Sequence, residues 1–455
     1  MIIVRVVVVS IMMTVLCGIV SPADGARAET QDTARFSVLA AVEMALAKYP
    51  AVAVAANTAA QAKASAREAT AAWFPTLSAV ASATRYEEPM AAFPIHGFKT
   101  GLLPPFNEKL GQYGLSLTYT LFDGWARDAE IRRTRAQFDA AEAALDQTRQ
   151  GVAARVISAY LNVLSKREVL AAHDHRVSAM EAELNRVNQY FWQAKAARVE
   201  VLRAEAALAN AQAEQTHAKA ALEVARRDLA SLLGIEVDEA LVARLVPVRL
   251  GESSMEEREP LISRALTASP TVAQARCAAT AAHAGVTVAQ SVRWPKVQLA
   301  GNYLDQGDFD GHRTAEWNAG VSLSYPLFTG GAVSSRIDRA RSAEWSAEDQ
   351  LKLAELQTAQ DIDRAIAAIQ EARSRVVSLT KAVESLTEVA RIEKLLVDAG
   401  SSTQTDYLDA EASLLTARAN LAEAQQGAIT ARVELARLAG ELNNEWMSRN
   451  LENQP

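Results

Sequence analysis

Cysteine is nearly absent: Cys17 and Cys277 are the only two in 455 residues. An apolar stretch at 6–20 follows Arg5, and Ala26-Arg27-Ala28 fits a small-x-small cleavage site. That pattern predicts an export signal over residues 1–28; an uncleaved transmembrane anchor of similar length is the alternative. Removing the leader leaves Cys277 alone, which excludes an intramolecular disulfide despite export. Aromatics are also scarce, at 6%. Helices packed closely through alanine suit this composition better than a thick aromatic core. Positive charge is not in excess: the net charge is −7, and no Lys/Arg run stands out. Both facts argue against nucleic acid as a partner. No phosphate-binding glycine loop, Cys-x-x-Cys or Gly-x-Ser-x-Gly occurs, so no catalytic constellation, metal site or cofactor is expected. His173 and His175 have the look of a metal pair, but i and i+2 point apart on a helix.

What the chain has is a repeat. "LFDGWARDAEIRRTRAQ" begins at Leu121 and "LFTGGAVSSRIDRARSA" at Leu327. Gly124 matches Gly330, 206 positions on, and "EVLRAEAAL" at Glu200 matches "DYLDAEASL" at Asp406 at the same offset. Upstream, "YPAV" at Tyr49 matches "SPTV" at Ser269 and "WFPTL" at Trp73 matches "RWPKV" at Arg293, now 220 positions apart. The first copy therefore holds 14 more residues between Pro75 and Leu121, in a stretch at 87–111 whose Pro and Gly read as a loop.

The organisation expected is a leader (1–28), a first repeat (29–240), a linker (241–256), a second repeat (257–440) and a polar C-terminal tail (441–455). Each repeat opens with a helix (50–73; 270–293) starting at proline. Two strands follow, at 76–86 and 113–122, then at 296–304 and 317–327. A long helical pattern comes next (125–194; 331–399), then a break and a further helix. The long pattern spans about 100 Å at 1.5 Å per residue. The two shorter helices have nearly the same summed length and could stack end to end beside it.

The strands alternate with period two. Tyr113, Leu115, Leu117 and Tyr119 oppose Ser116, Thr118 and Thr120; Trp317, Val321, Leu323 and Tyr325 oppose Ser322 and Ser324. A lipid-facing barrel strand and a half-buried soluble strand share this pattern. Four strands cannot close a barrel, since the smallest membrane barrels use about eight, so a barrel reading requires pooling strands between copies. The last helix carries two apolar seams. Leu408, Leu415, Ala422, Ile429 and Val433 lie on one, and Leu414, Leu421, Ala424, Leu435 and Leu438 on the other. Two seams roughly 150° apart mean neighbours on two sides, as for a stave in a wall.

This order of features resembles the TolC family of outer-membrane channel proteins. The resemblance rests on the tandem repeat, the strand–Leu-Phe-x-Gly–helix junctions and the turn "AGSSTQTDYLDAEASL" at Ala399. It implies a mostly α fold with a small transmembrane β-barrel portion, four β-strands per chain, and long coiled-coil helices forming a periplasmic α-barrel in a homotrimer. It further implies a passive exit duct in the outer membrane lipid, working with a periplasmic adaptor and an inner-membrane pump, driven by protons or by ATP. No cofactor is implied. Asp406 and Asp409 match acidic positions placed at the periplasmic entrance, although acids at a helix start fit them equally. The two helical turns would meet the adaptor through Ala194, Val199 and Glu200 and through Gly400, Ser401 and Thr405. Thr405 is the expected helix cap. Ala194 stands where the second copy has Gly400, and Val199 where it has Thr405, which leaves the bend of the first turn open. A periplasmic coiled-coil adaptor or scaffold is the alternative function.

Overall fold

A computed structural model describes residues 36–91, 106–236, 244–250, 257–311 and 313–453. The leader expected at 1–28 lies outside them. Helices α1 (Val38–Lys48) and α2 (Pro50–Ala71) lead into strands β1 (Thr76–Ala91) and β2 (Phe106–Phe122), then α3 (Ala126–Trp192) and α4 (Arg198–Leu233). After β3 (Val248–Leu250) the order recurs as α5 (Arg258–Ala268), α6 (Pro270–Ser291), β4 (Lys296–Asp308), β5 (Arg313–Ser324), α7 (Ala332–Asp398) and α8 (Gln404–Leu438). Helix α9 (Asn444–Asn450) and β6 (Leu451–Asn453) follow. The element starts reproduce both offsets of the repeat: 220 positions from α2 to α6, and 206 from α3 to α7 and from α4 to α8.

The helices form a wall two levels deep along α3 and α7, each of 67 residues. On the level of the strands the packing order is α2–α3–α6–α7. On the far level it is α4–α3–α8–α7. The short helices thus divide the length of the long ones between them. Both seams of α8 are used. Ile429, Val433 and Ala436 join Val152, Val156 and Ile157 of α3 in the main core. Leu414 packs with Ala390 of α7, and Leu435 and Leu438 with Ile362 of α7 and Leu261 of α5.

Several boundaries differ from the sequence expectation. All four strands are longer than expected at the end away from the helices. The described parts of the loop expected at 87–111 belong to β1 and β2. Pro89 is tolerated because β1 is an edge strand with a register shift between Arg85 and Met90. β5 ends at Ser324 rather than 327, since Pro326 has no N–H for a ladder. Helices α1 and α5, not anticipated, precede the prolines. The linker and the polar tail also meet: β3 pairs with β6, and Leu442, Met447 and Leu451 are buried. Their spacing of four to five residues marks one apolar face inside a polar stretch.

Tyr160 of α3 ties these outlying segments to the wall. Its side chain is fully buried. The hydroxyl accepts from the Val246 N–H at 2.8 Å and lies 2.7 and 2.9 Å from the carbonyls of Phe36 and Val246, to one of which it donates. Burial pushes the phenol pKa up to about 12. Because the folded pKa is raised, this contribution to stability is complete below the ordinary value of 10.0 and is lost as pH climbs towards about 12. Tyr160→Phe leaves the Val246 N–H only its longer bond, at 3.4 Å, to the Phe36 carbonyl, and should cost about 1 kcal/mol, read as a lower thermal midpoint of the detergent-solubilised protein. The variant should also lack this alkaline loss.

Candidate functional site

The four strands form one antiparallel sheet in the order β1-β2-β4-β5. Residues directly opposite each other in a ladder share a face. Leu115 pairs with Ala79 and Tyr303, and Tyr303 with Trp317; Tyr119 pairs with Leu299, and Leu299 with Val321. The register therefore places the expected Tyr113, Leu115, Leu117, Tyr119, Trp317, Val321 and Leu323 on a single apolar face. Tyr325 stands one residue beyond the end of β5. The opposite face carries the row Ser78, Ser116, Asn302 and Asn318, with Asn302 Nδ2 donating to Asn318 Oδ1 at 3.0 Å.

Among the described residues no helix packs against this sheet. Leu115 is 48%, Val321 64%, Leu323 68% and Trp317 76% exposed. A half-buried soluble sheet hides its apolar face, whereas here that face is exposed among the described residues. From Leu323 to Trp317 the band rises roughly 20 Å. At the end away from the helices it stops at a polar cluster: Arg313 Nε lies 2.7 Å from Asp305 Oδ1, and the Tyr113 hydroxyl donates to Asp305 Oδ2 at 3.2 Å. At the helix end it stops at exposed aromatics, among them Phe74, Trp125, Trp294 and Phe328. Among the described residues no single helix is long and apolar enough to cross a membrane; the bent pair α1–α2 passes by length and composition only.

The strand-to-helix junction depends on Gly124. Its φ is +67°, and a Cβ there would meet the Ser291 carbonyl oxygen at 2.6 Å and Trp294 Cβ at 2.7 Å. Trp125 follows, also left-handed at φ +66°. It is held edge-on between Phe122 and Trp294, at 5.3 and 5.4 Å. Gly330 repeats the left-handed turn but faces open space, and Leu327 and Phe328 beside it are almost wholly exposed.

At the other end of the wall lie the two helical turns. They bend alike. Lys195 N–H donates to the Tyr190 carbonyl at 2.8 Å, and Ser401 N–H to the Leu396 carbonyl at 2.8 Å. Ala194 takes the left-handed conformation (φ +54°) that Gly400 takes in the second copy (φ +73°), so alanine bears a strain that glycine avoids. The bend left open by the sequence is therefore conserved between copies in shape, at some cost in the first. The cap expectation is corrected. Thr403, not Thr405, caps α8: its hydroxyl accepts from the Asp406 N–H, and Asp406 Oδ2 accepts from the Thr403 N–H at 3.1 Å. Thr405 lies inside the first turn of the helix. The cap position of α4 is Ala197, which makes no side-chain bond. The missing cap is thus at Ala197 rather than Val199.

Asp406 is solvent-exposed. The Thr403 hydroxyl, followed by the Thr403 backbone N–H, holds its pKa below the usual carboxylate value. Asp409 is also exposed, one turn further on. Two helices are tied together nearby by Arg186, a residue the sequence reading missed. Arg186 Nη2 of α3 lies 2.6 Å from Glu183 Oε1, and Nη1 lies 3.6 Å from Asp398 Oδ1 at the end of α7. Tyr407 of α8 is buried beside this group, and its phenol is pushed up to about 12, first by burial and then by Glu411. A groove of about 540 Å³ runs alongside, lined by His175, Arg176, Arg391, Lys394, Glu411 and Arg418. His173 instead faces α4, where burial lowers its pKa and Glu214 and His217 act on it. The two histidines turn to different neighbours, as helical geometry requires. The first turn also exposes Trp192, Val199 and Leu202. His96 and His312 lie outside the described residues.

The family described as "Outer membrane efflux protein" matches the chain over residues 41–235 and 261–441. "Protein CyaE" of Bordetella pertussis is 32% identical over 275 residues, a match spanning 57% of this chain and 56% of that protein. "Outer membrane protein TolC" of Vibrio cholerae is 26% identical over 360 residues, spanning 75% and 79%. Among solved structures, the outer membrane protein VceC from Vibrio cholerae superposes with a TM-score of 0.74 at 21% identity, covering 89% of this chain and 96% of that one.

The cap assignment is checked by hydrogen exchange at the tips. Thr403→Ala should cost about 1 kcal/mol and speed exchange in the first turn of α8 about fivefold. Thr405→Ala should leave it unchanged. Ala197→Thr should slow exchange in the first turn of α4 by a similar factor.

Proposed function

The chain belongs to the outer membrane efflux protein family, and from that premise we propose that three copies form a passive channel. In this reading the sheets of three copies close a twelve-stranded barrel in the outer membrane, with the apolar face on lipid and the Ser78–Asn318 row in the lumen. The helical walls close a tunnel that extends into the periplasm. The observation that carries this reading is an apolar sheet face left bare on a sheet with two open edges.

The repeat supports one way for the copies to fit. Within one chain, β2 pairs with β4, α3 packs on α6 and α8, and Gly124 seats on the end of α6. Among the described residues their counterparts are open on the outer side: β5 pairs with β4 alone, α7 packs on α5, α6 and α8 of its own repeat, Gly330 faces open space, and Trp345, Leu356 and Val377 of α7 are exposed. The equivalents of the missing neighbours are β1, α2 and α4, which are the outer elements on the opposite side. A second copy placed head to tail supplies all of them together, and threefold rotation closes the ring. Unpaired strand edges and exposed apolar helix faces are both removed.

The chain carries no phosphate-binding loop in its sequence, so transport energy would come from an inner-membrane pump through a periplasmic adaptor. The adaptor would dock at the tips, on Ala194, Val199, Glu200, Gly400, Ser401 and Thr405. The exposed Trp192 and the basic groove beside Arg418 support a docking surface there. Three copies of Asp406 and Asp409 would line the entrance as a cation-attracting ring. The Thr403 cap keeps Asp406 ionised, which serves helix start and ring alike.

Transferring the β2–β4 register to β5 and the β1 of a neighbour sets Val321 opposite Ala83. With Cys277 replaced by Ser, oxidation of the double variant Val321→Cys, Ala83→Cys should give covalent trimers from the outer-membrane fraction. A soluble monomer would overturn the channel reading. In planar bilayers, Asp406→Asn with Asp409→Asn should remove most of the cation preference read from the reversal potential. An unchanged preference would remove the ring and leave the channel.

A further inference from the structure

We propose that Arg293, in the turn between α6 and β4, holds the phosphate of one phospholipid per chain, from the leaflet nearest the helices. The proposal rests on the reading that the apolar sheet face meets lipid. A groove of about 660 Å³ opens at the helix end of that face, lined by Gln290, Arg293, Trp294, Pro295, Leu323 and Tyr325. None of these lining residues is acidic. Arg293 is exposed, and its guanidinium makes no hydrogen bond or ion pair among the described residues. Elsewhere on the wall some arginines are tied to a carboxylate one turn away, as Arg186 is to Glu183 and Arg437 to Glu434.

The walls of the groove match the rest of a lipid. Leu323 begins the exposed apolar band that continues through Val321 to Trp317 and would carry an acyl chain. Trp294 and Tyr325, each about half exposed, flank the cation at the level where amphipathic rings favour a membrane boundary. A planar guanidinium offers paired donors to a phosphodiester, whose oxygens accept them bidentately. Gln290 adds a neutral amide donor on the helix side.

The first repeat lacks the same site. The offset of 220 places Trp73 at the position of Arg293 and Phe74 at that of Trp294. The cation nearest Trp73 is Arg127, whose guanidinium lies over the ring at 4.4 Å but is bonded to Asp123 at 2.9 Å and largely buried. Lys296 does not substitute in the second repeat. It pairs with Ser324 on the polar face and lines a different cavity with Thr118 and Gln298. The site is therefore single in each chain, and threefold in the assembly proposed above.

The test is native mass spectrometry of the full-length trimer in detergent, titrated with dioleoyl phosphatidylglycerol. Three lipids should bind per trimer with one affinity. Arg293→Gln should weaken that binding about fivefold, the scale of one basic residue at an anionic lipid surface, with trimer mass and conductance unchanged. Arg293→Lys, which keeps the charge but loses the paired donors, should recover only part of it. Should Arg293→Gln reduce trimer yield, Arg293→Trp, which installs the first-repeat residue, is measured in its place with the same expectation. A trimer whose variants bind the lipid as the unmodified protein does overturns the lipid site alone. Failure of the unmodified chain to yield a membrane-derived trimer overturns the channel reading and this site with it.

Discussion

A β-sheet with one bare apolar face and two open edges is unstable in water, and most of this structure is arranged around that constraint. Exposed Leu, Val and Trp on β2 and β5 cost free energy unless an apolar medium covers them. Unpaired N–H and C=O groups along β1 and β5 invite pairing. In the assembly proposed above, lipid would answer the first problem and neighbouring copies the second. The helical wall carries the same incompleteness to the far end of the molecule, because α3 packs on helices of both repeats whereas α7 packs on α5, α6 and α8 of its own repeat.

The junction at Gly124 links the two halves of that solution. The sheet follows period two and the wall follows a helical period, so the chain must turn sharply between them. Two successive left-handed residues make the turn, and the absence of a Cβ at Gly124 lets it rest directly on the end of α6. Trp125 accepts a conformation that costs about 1–2 kcal/mol because aromatic contacts on either side hold it there. The strand register and the helix packing are therefore set by one contact between repeats.

Duplication has not kept the two halves equal. At the tips, α8 starts with a reciprocal cap and a glycine bend, while α4 starts uncapped after an alanine forced to positive φ. At the sheet end, the first repeat has Trp73 where the second has the exposed Arg293, and its nearby Arg127 is held in a buried pair with Asp123. These differences put local stability and surface charge in alternation around the assembly proposed here, with the exposed apolar side chains of the first tip lying beside its weaker helix start.

Sequence alone determined what depends on local periodicity. The two-offset repeat, the alternating strands, the single-face apolar set from Tyr113 to Leu323 and the two seams of α8 are all legible because each is a rule about neighbours a few residues apart. Strand and helix ends were less legible, since Pro89 lies within an edge strand and Pro326 stops another. Tertiary structure decided what depends on distant partners. It chose Thr403 over Thr405 as the cap, joined the supposed linker to the supposed tail, and used one hydroxyl of Tyr160 to hold Phe36 and Val246 together. It also brought Arg186 of α3 to Asp398 of α7 and left Arg293 without an ion-pair partner among the described residues. No pattern within a short window encodes such pairings, because each is fixed by which segments the long helices bring side by side.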